Sequence, residues 1–188
     1  MYGDPGRQQL IQFAGGQVNF VSQVKTLQLV NTEEKELPKE NCRKVDLVNG
    51  GSLLIRANWL SNNDLFDENY FMYNDEMDLM KRIQSRRKEV RIVFKAICLH
   101  HHDWSASNKQ SYYLMYYYMM RNKILYWKKN KYKKAIVMSL FEYTIKFPVI
   151  LRFCLKTSGI KLLYYYYLGL LHGYLGKKGK SEIFSNPF

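Results

Sequence analysis

The chain is 188 residues long, 47% hydrophobic and 24% charged, a composition that supports about one domain's worth of buried core and excludes a disordered polymer. Twenty-nine Lys and Arg stand against sixteen Asp and Glu, a net charge of +13 that calls for an acidic partner: nucleic acid, an anionic membrane face or a phosphorylated substrate. Cys42, Cys98 and Cys154 are odd in number and lack ligand or framework spacing, and no charged-then-apolar leader opens the sequence, so the expectation is a reducing cytosol.

In chain order, residues 10–14 and 17–21 flank Gly15-Gly16, which predicts a hairpin turning on the two glycines, since glycine tolerates positive φ at both central positions. Residues 31–43, with Glu33, Glu34, Lys35, Glu36, Pro38 and Lys39, read as a surface loop. Residues 45–48 predict a short strand. Asn49-Gly50-Gly51-Ser52 then forms a turn whose missing side chains allow close approach to the backbone. Asp67-Glu68 follows Leu65-Phe66 and resembles the FDE element of a known enzyme family, which implies a buried positioning turn.

The chemistry-bearing stretch is 70–105. Asn74 is a candidate N-cap, Asp75, Glu76 and Asp78 sit where a helix start favours negative charge, and Met77, Met80 and Ile83 recur at helical spacing, which predicts a helix over 75–86. Val90, Ile92, Phe94, Ala96 and Cys98 alternate at a period of two and predict a mostly buried strand over 90–99. It ends in His100-His101-His102-Asp103-Trp104, imidazoles at a strand end where α/β folds place ligand chemistry. The carboxylates and imidazoles are expected to open onto one groove, within about 12 Å of each other.

Beyond residue 108 the chain turns aromatic, basic and helical. Tyr112, Tyr113, Tyr116, Tyr117 and Tyr118 lead to Arg121-Asn122 on a long helix, followed by Lys128, Lys129, Lys131, Lys133 and Lys134. Interleaved bases and aromatics suit a nucleic-acid surface, yet no nucleic-acid module signature accompanies them, so no nucleic-acid partner is expected. Residues 135–156 contain Glu142, Lys146, Arg152 and Pro148. Each central charge costs about 2.5 to 3.5 kcal/mol on the insertion scale, which argues against a membrane span. Glu142, Lys146, Arg152 and Lys156 share an arc of about 120°, which predicts one amphipathic helix. With the tyrosine-rich 160–176 and Lys177, Lys178 and Lys180, it suits docking on an anionic membrane surface.

The order GGSLLIR, LFDENYFMYNDEMDL, LHHHDWSAS and YYYMMRN resembles the C-terminal half of family 2 inverting glycosyltransferases of the GT-A fold, nearest to the rhamnosyl- and galactofuranosyltransferase-like members, over about residues 2–122. The resemblance implies an α/β fold. Residues 1–107 would be the acceptor and catalytic-base half of a GT-A domain, and 108–188 a basic, aromatic helical tail. It implies transfer of a sugar from a nucleotide-sugar donor to a glycan or lipid-linked acceptor, with inversion, in cell-surface polysaccharide synthesis.

In that family the acidic pair opening the helix supplies the general base. Here it is Asp75-Glu76 where the family usually has Glu-Asp or Asp-Asp, a departure that leaves either carboxylate as the base, with the second acid, Glu76, at the family position. A strand-end histidine holding Mg or Mn maps onto His100 or His101, while Gly50, Gly51, Trp104 and Arg121 fall at substrate-binding positions. The family's nucleotide-binding half and its Asp-x-Asp motif precede these elements, and no Asp-x-Asp occurs in the 188 residues. The expectation is therefore a fragment, a split enzyme whose N-terminal half is a separate chain, or a decayed relative, cytoplasmic and peripheral to the inner face of the cell membrane. A basic membrane- or nucleic-acid-binding module without chemistry, and a structural zinc protein using the histidines, are the alternatives.

Overall fold

In the computed structural model, which describes residues 10–60, 65–99 and 109–184, the chain is mixed α/β, about half helical, with two small antiparallel sheets. Its described strands are β1 (Gly16–Asn19), β2 (Val24–Leu27), β3 (Cys42–Val45) and β4 (Val90–Val93). Its helices are α1 (Ala57–Leu60), α2 (Asp75–Ser85), α3 (Lys109–Lys129), α4 (Lys133–Ile145), α5 (Phe147–Thr157) and α6 (Ile160–Leu175). Two compact units divide it. The sheet unit holds the described residues up to Phe66 and from Glu76 to residue 99, and the helical unit holds Asp67–Asp75 and the described residues from 109 onward.

In the sheet unit β1 pairs with β2, Gly16 opposite Leu27 and Asn19 opposite Val24, so the hairpin turns at residues 20–23 and not at Gly15-Gly16. Asn19 drives that turn. Its Oδ1 accepts the N–H groups of Val21 and Ser22 at 3.0 Å each, and Gln23 closes it with φ 60° and a 2.7 Å bond to the Asn19 carbonyl. The glycines serve close approach instead. A Cβ on Gly15, which has φ +83°, would lie 2.7 Å from Val45 Cγ1, and Gly16 exchanges two 3.1 Å backbone bonds with Leu47.

The predicted strand over 45–48 lies three residues earlier, as β3, pairing antiparallel with β4 from Cys42 opposite Val93 to Val45 opposite Val90. Residues 46–48 leave this ladder because Leu47 pairs with Gly16 and Asp46 Oδ2 accepts the Val18 N–H at 3.2 Å. The predicted strand over 90–99 stops at Val93. Its partner runs out: Phe94 N–H reaches the Asn41 carbonyl just before β3, and Ala96 N–H turns back to the Val93 carbonyl, both at 3.1 Å. Val90 and Phe94 are buried with Ile92 half-buried between exposed neighbours, but the alternation fails at Ala96, which is exposed.

Val45, Leu47, Val48, Leu79, Met80 and Val90 form this unit's core, with Ile83 packed against them. The helix predicted over 75–86 is present as α2 and buries Met77, Leu79 and Met80. Asp78 is buried beside them. A buried carboxylate needs a partner, and Arg82 Nε supplies one at 2.8 Å while its Nη2 donates to the Leu65 carbonyl at 2.8 Å.

The helical unit is built on α3 against α6. Gly169 and Gly173, one turn apart on α6, let the backbones meet: a Cβ on Gly169 would overlap the Tyr117 carbonyl, and one on Gly173 would lie 2.7 Å from the Arg121 carbonyl oxygen. The single amphipathic helix expected over 135–156 is instead two helices. The break falls at Lys146, where Pro148 in the first turn of α5 lacks the N–H that would continue α4. The arc of four charges is broken with it, and Glu142 and Lys146 form a 2.6 Å ion pair within one turn. No helix among the described residues is long and apolar enough to cross a membrane.

Candidate functional site

The 49–52 turn and the start of α2 meet in the sheet unit. Asn49 Oδ1 accepts the Gly51 N–H at 2.9 Å and fixes the turn, so that the Gly50 N–H points at Glu76 Oε1, 3.4 Å away. Gly50 fits there because it has no side chain. A Cβ would lie 3.0 Å from Glu76 Oε1 and 3.1 Å from its Cγ, tighter than van der Waals contact allows without a shift. Glu76 is half-buried, and Gly51 is exposed at the tip of the turn. The arrangement orients the Glu76 carboxylate against a backbone donor, and a carboxylate so oriented can accept a proton. Gly50→Ala is expected to move the Glu76 carboxylate by a few tenths of an ångström and to lower any Glu76-dependent turnover by about tenfold or more, with little change in thermal unfolding. Parallel activity and melting measurements check it.

Asp75 and Glu76 are consecutive in α2, and Asp75 is half-buried in the helical unit. The segment leading to it is unusual: Phe71, Tyr73 and Asn74 have φ of 65°, 63° and 65°. Left-handed conformations cost non-glycine residues about 1 to 3 kcal/mol each and persist only where surroundings enforce them. Asn74 thus departs from the extended conformation usual at an N-cap.

The enforcing residues are Arg121 and Asn122 of α3. Asn122 Nδ2 donates to the carbonyls of Tyr70, Met72 and Tyr73 at 2.9, 2.7 and 2.9 Å, three acceptors sharing two hydrogens. Arg121 donates through Nη2 to the Tyr70 carbonyl at 2.8 Å, through Nη1 to the Gly179 carbonyl at 2.7 Å and through Nε to Asn122 Oδ1 at 2.9 Å. Its guanidinium also stands 4.5 Å from the Tyr118 ring centroid. Burial lowers the Arg121 pKa, and the Tyr117 and Tyr118 phenols oppose that shift.

Arg121, expected against substrate, is 1% exposed with its nitrogens committed to carbonyls and to Asn122. It positions the loop. Asn122 makes more of the loop's bonds than any residue singled out from the sequence. Its signal was present: an amide beside an arginine after three tyrosines, on a helix too buried for either group to lack a partner.

Asp67 anchors the loop's other end. Its Oδ1 accepts the Asn69 N–H at 3.0 Å, and its Oδ2 accepts Lys129 Nζ at 2.8 Å. Burial raises its pKa, but the Lys129 ammonium and the Asn69 donors together outweigh this and hold the carboxyl below its ordinary value. The turn expected to be buried is not: Asp67 is half-buried and Glu68 and Asn69 are exposed.

His100, His101 and Trp104 lie outside the described residues. Among the described residues no group of three or more His, Cys, Asp or Glu could hold a metal ion. No family model, curated protein or solved structure matches the chain.

Proposed function

We propose that the chain performs the acceptor-side chemistry of an inverting glycosyltransferase, with its sheet unit as part of a GT-A domain and the Glu76 carboxylate as general base. One observation carries the reading: Gly50 and Glu76, 26 positions apart in sequence, stand together, with the carboxylate 3.4 Å from the Gly50 N–H and against a backbone where a Cβ would crowd it. A base so placed takes the proton from an acceptor hydroxyl as that oxygen attacks the anomeric carbon of a nucleotide sugar, and the nucleoside diphosphate leaves from the opposite face with inversion. The acceptor is a glycan or a lipid-linked sugar.

A divalent ion, for which the resemblance assigns His100 or His101, would neutralise charge on the departing diphosphate. The test is a transfer assay over a panel of nucleotide sugars, with the product anomer assigned by NMR. Inverted product dependent on an acceptor hydroxyl is expected; retained configuration, or no transfer once a donor-binding half is supplied in trans, overturns the reading.

A further inference from the structure

The charge of this protein is not spread over it. Residues 109–184 hold 15 of the 29 Lys and Arg and 2 of the 16 Asp and Glu, so the whole excess of 13 positive charges lies in this helical segment. The same segment exposes its apolar side chains. On α4, Val137, Met138, Leu140, Phe141 and Ile145 are all more than half exposed and fall with Thr144 within an arc of about 160°, while Ser139 and Tyr143 point inward and are buried. The helix is turned with its apolar arc to solvent. Lys133 and Lys134 occupy the same arc one turn earlier, at its basic head.

On α6, Ile160, Tyr164, Leu171 and Leu175 are likewise more than half exposed and fall within about 60° of each other, opposite the glycine face that packs on α3. An apolar groove of about 530 Å³ joins α6 to the start of α5, lined by Phe147, Ile160, Tyr164, Leu168 and Leu171 among others.

Large apolar side chains each carry about 150 to 250 Å² of surface, so the nine more than half exposed present on the order of 1,000 Å² divided between the α4 arc and the α6 face, each about as large as the largest patch on ordinary soluble monomers. Such a face needs a cover, and charge selects it. A second copy would bring two strongly positive segments together, and a nucleic acid would satisfy the lysines but not the aliphatic arcs. An anionic bilayer surface satisfies both, apolar faces entering the acyl boundary and ammonium groups meeting phosphates.

We propose that the α4 and α6 faces dock the protein on an anionic phospholipid surface, in the interfacial plane and without spanning it. The helix lengths agree: α6, the longest of α4 to α6 at 16 residues, extends about 24 Å, short of the roughly 30 Å hydrocarbon core. The apolar arcs, and not the charges of 142–156, are the contact. This inference does not depend on the sugar-transfer reading.

The experiment is co-sedimentation of the full chain with vesicles of phosphatidylcholine alone and of equal parts phosphatidylcholine and phosphatidylglycerol, at low and high salt. Binding at least tenfold stronger to the anionic vesicles, weakened but not abolished by salt, is expected. The double variant Phe141→Glu with Ile145→Glu, and separately Leu171→Glu, should each lose about tenfold or more of that binding. Val24→Glu, at an equally exposed site in the sheet unit, should lose none. The altered positions are solvent-facing, and unchanged circular dichroism verifies that the variants fold. Lys133→Gln with Lys134→Gln, a second route should an apolar variant misfold, should lower anionic-vesicle binding and flatten its salt dependence. Overturning results are anionic-vesicle binding indifferent to every substitution, a dimer in sedimentation velocity that Phe141→Glu dissociates without any vesicle binding, or preference for an oligonucleotide over the vesicles.

Discussion

Replacing Glu76 with glutamine is expected to lower sugar transfer by about 10²- to 10⁴-fold, the range for removal of a general base, while nucleotide-sugar binding changes little. Glutamine keeps the size of the side chain and an oxygen able to accept the Gly50 N–H, so the turn at 49–52 should hold and the loss isolates the proton acceptor. The assay should separate kcat from KM: a base acts in the transition state, and kcat should fall with KM nearly constant. Asp75→Asn is the internal comparison, expected to cost far less because Glu76, not Asp75, stands against the Gly50 N–H. If Asp75→Asn abolishes turnover and Glu76→Gln does not, the roles within the pair are reversed. If neither matters, the stretch has no catalytic function.

Where local chemistry and tertiary packing agree, the sequence was legible. Met77, Met80 and Ile83 at helical spacing behind two acids gave α2, and the glycine turn at 50–51 was visible as a place where something approaches closely, although only the fold reveals that Glu76 does so. The hairpin was misplaced because Gly15-Gly16 is the stronger turn signal by composition. Asn19 forms the actual turn with a side-chain oxygen that caps two N–H groups, and the glycines answer a contact with Val45 that no local window contains. The strand at 90–99 was read too long because alternation reports which way side chains face and not whether a partner strand extends that far. Gly169 and Gly173 were spaced to signal helix packing, yet they sit in a run so apolar that periodicity is flat. The same flatness hid the outward apolar arc of α4, whose two faces differ in exposure and hardly in hydrophobicity.

Asn122→Asp is expected to destabilise the helical unit more than any other isosteric change in it. Alanine at 122 removes donors from buried carbonyls and should cost roughly 2 to 4 kcal/mol, at about 1 kcal/mol for each net hydrogen bond plus the desolvation of acceptors left behind. Aspartate keeps the shape and can still accept Arg121 Nε, but it turns an oxygen toward the carbonyls of Tyr70, Met72 and Tyr73, where the amide supplied hydrogens. The donating amide is replaced by an oxygen that repels the three carbonyl oxygens in a fully buried site, so the aspartate variant should unfold at lower urea than the alanine variant despite its better fit. The loop itself gives the second readout. Phe71, Tyr73 and Asn74 hold left-handed φ only while the clamp is intact, so chymotryptic cleavage after Phe71 or Tyr73 should accelerate in both variants before global unfolding begins. Equal urea midpoints for aspartate and asparagine would mean that the helix packing of α3 on α6, and not the amide, fixes the approach to the acid pair.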